Sequence, residues 1–255
     1  MRNILCFLTL TLFTFMCFDT PAYTPHSAKH QAIDENFAIY VINLTRRLDR
    51  WQAIQSRLQA QNLSFSRHEA IDGKAKFPTP QAMIDRGYVD EEAMADDPYL
   101  TPGMVALALS AREVWTRCRD SGKPYCVILE DDFLVAPDFS ERLYHLTHII
   151  QDYNFDVLML HQNVYGFWSD EKAQQNRYNA EWVARDNPSK IIPSIFGFSA
   201  AAYLINASSS NKLLEAYSLP IDASVDIFWW GTAKKHARLY PEAQFPILTE
   251  KSAAD

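Results

Sequence analysis

Tyr125-Cys126-Val127-Ile128-Leu129-Glu130-Asp131-Asp132-Phe133 is an uncharged apolar run that ends abruptly in three carboxylates. Short, aliphatic and without polar alternation, it predicts a strand buried on both faces, as in a mostly parallel α/β sheet with helices on both sides. Open sheets of that kind bind ligands beyond the carboxyl ends of their strands, which places Glu130, Asp131 and Asp132 at a candidate site. Side chains alternate along a strand, so Glu130 and Asp132 are expected to converge while Asp131 faces the other way. Two carboxylates held together repel unless a cation joins them. A hard divalent ion, Mn²⁺ or Mg²⁺, suits such an oxygen-only pair.

Around this stretch, 255 residues with 48% hydrophobic and 22% charged content suit one globular α/β domain with a full core. A formal charge of −7 gives no basic surface for nucleic acid. Only seven glycines occur, and neither GxxxxGK[ST] nor GxGxxG is present. A phosphorylated ligand would therefore be held by a metal ion and single Arg or Lys side chains rather than by a glycine-rich loop.

Met1-Arg2-Asn3 followed by the uncharged run Ile4 to Phe18 reads as a signal peptide or short membrane anchor over residues 1–18. It directs the chain to the secretory pathway or cell envelope, or holds it to a membrane facing the cytosol. Residues 19–35 read as a linker, leaving 36–255 as the folded domain. Cys118 and Cys126 fall outside the leader. An oxidising compartment would permit a disulfide between them. The expectation is two buried free thiols, because one sits on a helix and the other in a strand.

Along the chain, Phe37 to Leu44 predicts a first buried strand, and Thr45 a cap for a helix carrying Leu48, Trp51, Ile54 and Leu58. Arg46, Arg47 and Arg50 stand in its first turns, where they oppose the helix dipole and make more sense facing a phosphate. A second strand is expected at Ser64 to Ala70, then a turn at Ile71-Asp72-Gly73. Residues 74–100 read as a mobile loop with short helices, a candidate lid. Thr101-Pro102 opens a long helix whose stripe runs from Met104 to Cys118, with Gly122 ending the segment. Later elements are a helix from Pro137-Asp138, strands at Phe155 to His161 and Phe196 to Ile205, and helices from Ser208 and through His236. The aromatic segment 162–190 suits an acceptor-side loop, with rings that could stack on sugars or pin the loop to the core.

Taken in order, five pieces resemble the family 25 glycosyltransferases, which include lipopolysaccharide and collagen galactosyltransferases. They are Val41-Ile42-Asn43-Leu44 with Arg47 and Arg50; Glu69-Ala70-Ile71-Asp72-Gly73; Thr101-Pro102-Gly103 leading to Leu109-Ser110; Ile128 to Asp132; and Pro220-Ile221-Asp222 with Val225-Asp226. The resemblance implies a GT-A-like nucleotide-binding fold and an inverting transfer of a hexose, by family habit galactose. The donor would be a UDP-sugar, and the acceptor a glycan or protein-linked hydroxyl. It implies Mn²⁺ held by Glu130 and Asp132, with Asn43, Arg47, Arg50, Asp72, Ser110 and Asp131 near the nucleotide. An inverting transfer also needs a general base. Asp226 matches the family's late Asp, with His236 as its understudy and as a further candidate metal ligand. The sequence departs from the family pattern at Ser110-Ala111, where a Ser-His pair is usual, and at Met104 and Ala106-Leu107. That departure leaves a second reading, a catalytically degenerate copy acting as a binding or adhesion module.

Overall fold

The computed structural model describes residues 27–96, 100–152, 155–160, 200–225, 239–241 and 248–251. Its centre is β3 (Tyr125–Glu130), flanked by β1 (Phe37–Asn43) and β6 (Ala202–Asn206). Adding β2 (Ser66–Glu69), β5 (Val157–Met159) and β7 (Leu239–Pro241) gives one sheet in the order β2-β1-β3-β6-β5-β7. β4 (Phe133–Val135) and β8 (Leu248–Lys251) form a separate two-stranded ribbon.

The sheet is mixed. β1 pairs in parallel with β2 and β3, and β5 with β7, whereas β6 runs antiparallel to both β3 and β5. β1 and β3 carry apolar side chains on both faces, and the pleat sorts them into two cores. Tyr40, Ile42, Cys126 and Ile128 pack toward α6 (Pro102–Arg119), while Ile39, Val41, Val127 and Leu129 pack toward α2 (Leu48–Gln59) and α7 (Phe139–Ile149). Both helical layers follow from that division, since each face must be covered.

Several sequence expectations are corrected by this packing. Residues 28–36 are not linker but helix α1 (Ala28–Asn36), with Ile33 buried and Lys29 paired to Glu141 of α7 at 2.9 Å. Thr45 does not cap α2, which starts at Leu48 with Arg47 at the cap position. The segment expected as a mobile loop with short helices does form short helices, α3 (Gly73–Lys76), α4 (Gln81–Ile84) and α5 (Glu91–Asp96), but they are packed into the core. Its Phe77, Met83, Val89 and Ala93 are buried in the same apolar cluster as α6, because an apolar residue every few positions is enough to pin short helices.

The two cysteines form a disulfide, Cys118–Cys126, contrary to the expectation of free thiols. α6 ends at Arg119, and Gly122, at φ +72°, reverses the chain so that β3 starts beneath the last helical turn. The two Cα atoms stand 5.9 Å apart, within the normal span of a disulfide. Among the described residues no helix is long and apolar enough to cross a membrane.

Candidate functional site

The registers align the carboxyl ends of three strands: Asn43 lies beside Glu69, and Ile42 beside Glu130. A cavity of about 470 Å³ opens at that edge, between the strand ends, the turn before α3 and the start of α6. Its charged lining is Arg46, Arg50 and Lys74 on one side of the ledger of charge and Asp72, Glu130 and Asp131 on the other. Ile42, Ile71 and Leu107 supply apolar wall. Such a place, beyond the carboxyl ends of parallel strands, is where α/β sheets take their ligands.

The acidic end of β3 is arranged differently from the alternation expected of it. β3 stops at Glu130, and Asp131 and Asp132 lie in the turn before β4, so the pleat no longer separates them. Arg50 reaches both, with Nη1 at 3.4 Å from Asp131 and 3.1 Å from Asp132. The Asp131 carboxylate also accepts from the amide of Asn43. Burial pushes the Asp131 carboxyl above its ordinary range, a shift opposed by the Asn43 hydrogen bond and the Arg50 charge. Glu130 lines the cavity. Among the described residues no group of three His, Cys, Asp or Glu side chains is gathered as a metal cluster.

Asn43, expected near a nucleotide, is 1% exposed and its amide is fully engaged. Its Nδ2 donates to the Arg47 carbonyl at 3.1 Å and to Asp131, and its Oδ1 accepts from Arg67. It therefore fixes the strand end and the Asp131 carboxylate instead of facing the cavity. Arg47 grips Asp49 through two contacts, at 2.8 and 3.0 Å, and stands outside the cavity lining. Ser110 is wholly buried: Oγ accepts from the Ile71 N–H at 2.9 Å and donates to the Ala106 carbonyl at 2.8 Å. It positions the turn that carries Asp72. Ala111 beside it is packed in the core and adds no polar group.

Asp72 caps α3 by accepting from the Lys74 N–H at 3.1 Å and pairs with Arg46 Nε at 2.7 Å. That guanidinium, more than the helix amides, holds its carboxyl below the usual carboxylate range. Gly73 touches the start of α6 so closely that a Cβ there would lie 2.1 Å from the Pro102 carbonyl oxygen. Lys74, Arg46 and the Thr101–Gly103 turn complete the cavity. Of these, Arg46 was expected to face a phosphate, whereas Lys74 carried no signal beyond its place just after the Asp72-Gly73 turn. Asp226 and His236 lie outside the described residues.

A mixed α/β sheet with a charged cavity at the carboxyl ends of its parallel strands places the chain among α/β proteins and is compatible with a Rossmann-like glycosyltransferase fold. Residues 36–229 match the profile of glycosyltransferase family 25, described as a lipopolysaccharide biosynthesis family, and the chain belongs to that family. It is 25% identical to procollagen galactosyltransferase 1 of Danio rerio over 223 residues, 83% of this chain and 33% of the relative. Against procollagen galactosyltransferase 2 of Homo sapiens it is 24% identical over 199 residues, 75% of this chain and 30% of the relative. It is also 26% identical to the inactive glycosyltransferase 25 family member 3 of Mus musculus, over 80% of this chain and 32% of the relative. The chain thus spans about a third of the length of these curated relatives.

Proposed function

We propose that the chain is a metal-dependent inverting glycosyltransferase of GT-A type. On this reading it moves a hexose, galactose by analogy with the procollagen relatives, from a UDP-sugar to a glycan or protein-linked hydroxyl. The observation that carries this reading is the cavity at the ends of β1, β2 and β3, lined by three cations and three carboxylates. A nucleoside diphosphate matches that pattern. Arg50 and Lys74 offer charge-assisted donors to phosphate oxygens, and Ile42, Ile71 and Leu107 offer apolar wall to the base or ribose.

The donor set fits a hard divalent ion: Glu130, Asp131 and Asp132 present only carboxylate oxygens. Two of these carboxylates would suffice to hold such an ion, since Mg²⁺-type sites in enzymes are commonly made by one or two carboxylates with substrate phosphates. When bound, the ion would neutralise charge on the departing diphosphate. His236 remains a candidate ligand on the same reading. The chain's own groups do the rest. Asn43 and Arg50 hold the acidic turn in place, and Asp72 and Ser110 fix the turn that brings Lys74 to the cavity. Asp226, one residue beyond buried Val225, takes the proton of the acceptor hydroxyl as its oxygen attacks the anomeric carbon and UDP leaves from the opposite face.

The Cys118–Cys126 disulfide supports residence in an oxidising compartment, in keeping with a leader at residues 1–18. The test of the reading is UDP binding by calorimetry with and without Mn²⁺, then transfer from a panel of UDP-sugars. Asp132→Ala should abolish the Mn²⁺-dependent part of binding, and Asp226→Asn should lower turnover by about 10²–10⁴ with donor affinity retained. Unchanged binding in the first variant sinks the metal assignment.

One observation favours a second reading. Ala111 stands in the core where the family pattern puts a histidine, and two relatives, of Mus musculus and Rattus norvegicus, carry the word inactive in their names. A copy of that kind would bind UDP with Mn²⁺ and transfer no sugar, and the same assay separates the two.

A further inference from the structure

We propose that Arg50 is an exchangeable plug for the cation position, so that the divalent ion enters only when a nucleotide diphosphate draws the guanidinium away. The inference rests on the metal-dependent reading above and adds an order to it. Asp131 and Asp132 are 10% and 6% exposed at their side chains, and two carboxylates so far removed from water need a positive partner. The structure supplies one: the Arg50 guanidinium, itself 19% exposed, reaches both. A divalent ion would need the same two carboxylates, and a dication beside that guanidinium would be repelled at contact distance. The two cations therefore compete for one place.

The guanidinium can leave only if another anion receives it. Arg50 stands at the boundary between the acidic turn and the cavity, because it belongs to the cavity lining as well as to the ion pair. A diphosphate in that cavity lies within reach of a side-chain rotation, and a planar guanidinium meets phosphate oxygens as well as it meets carboxylates. Asn43 keeps its hydrogen bond to Asp131 throughout, so the carboxylate stays aimed while its partner changes. Charge is conserved in the exchange: one guanidinium moves from carboxylates to phosphates, and one dication takes the place it left. The consequence is strong positive coupling between nucleotide and metal, with the chain resistant to loading by metal alone.

The test is a titration of Mn²⁺, read by loss of the free-ion electron paramagnetic resonance signal, against the purified chain with and without UDP. Wild-type protein should bind Mn²⁺ weakly alone and about ten- to a hundredfold more tightly with UDP. Arg50→Gln should bind Mn²⁺ alone about tenfold more tightly than wild type and should lose most of the gain from UDP. Thermal melts establish that the variant is folded. Should it not fold, Arg50→Lys keeps the charge on a shorter, more strongly hydrated side chain, and it should shift in the same direction by a smaller factor. If wild type binds Mn²⁺ with UDP and neither variant binds it more tightly alone, the plug is overturned and the metal reading stands. If no protein binds Mn²⁺ under either condition, both fall.

Discussion

Gly73 shows how little room separates the two segments that floor the cavity. An alanine there would place its Cβ 2.1 Å from the Pro102 carbonyl oxygen and 2.9 Å from the Gly103 nitrogen, and backbone cannot rotate aside as a side chain can. Gly73→Ala should cost about 1–3 kcal/mol, read as a lower urea midpoint, and should weaken UDP binding by moving Lys74. His68 makes a different prediction. It is 6% exposed on β2, accepts from Arg117 at Nδ1 and faces Glu113 from Nε2 at 3.3 Å. Burial lowers its pKa from the ordinary 6.5, with Glu113 opposing and Arg117 assisting. The unfolded chain then binds the extra proton first as pH falls below about 6.5, so stability is complete above that value and declines beneath it. Urea midpoints between pH 5 and 7.5 should fall toward acid in wild type and fall less in His68→Gln; equal slopes would dismiss the role. At this scale the sequence showed which polar residues sit in apolar runs, Asn43 and Ser110 among them. It could not show that Arg67 and the Ile71 amide, distant along the chain, would occupy them before any ligand.

Among elements, the tie between α6 and β3 has the largest expected effect. Cys118–Cys126 closes a short loop, and in the chain-entropy account such a bond contributes about 2–3 kcal/mol. Reduction, or paired Cys118→Ala and Cys126→Ala, should lower the unfolding free energy by that amount, read as a lower urea midpoint, and added reductant should have no further effect on the paired variant. A midpoint indifferent to reductant in the wild-type protein would show the bond absent. The bond escaped the sequence reading because spacing cannot tell that the last turn of a helix lies over the first residue of the next strand. That depends on the reversal at Gly122. α1 escaped for a related reason. Its sequence has a single well-buried apolar residue, Ile33, and its helical state rests on contact with α7 rather than on any periodic stripe. By contrast α6 was legible from end to end, since Thr101 accepts from Met104 N–H as a cap, Pro102 follows it, and the apolar stripe needs no partner to be seen.

For the whole molecule, β1, β3, β5 and β6 were legible as apolar runs and their direction was not, while β4, β7 and β8, three or four residues each, gave no such run. β6 is buried on both faces, and a doubly buried run reads the same whichever way it points. Its reversal has a topological result. β5 delivers the chain to the carboxyl edge of β1 and β3, and β6 picks it up again at that same edge, where Leu160 N–H donates to the Ala202 carbonyl at 3.0 Å. Leu160 and Ala200, the described residues that flank 161–199, therefore both stand at the carboxyl edge of β1 and β3. Replacing 162–198 by a short Gly/Ser bridge should leave a cooperative melt and Mn²⁺-dependent UDP binding while removing transfer to an acceptor. Loss of the melt would mean that the segment is part of the core. Because both junctions stand together at one edge, the stretch between β5 and β6 can change in length without shifting either strand, much as a gate can be rehung without moving its posts.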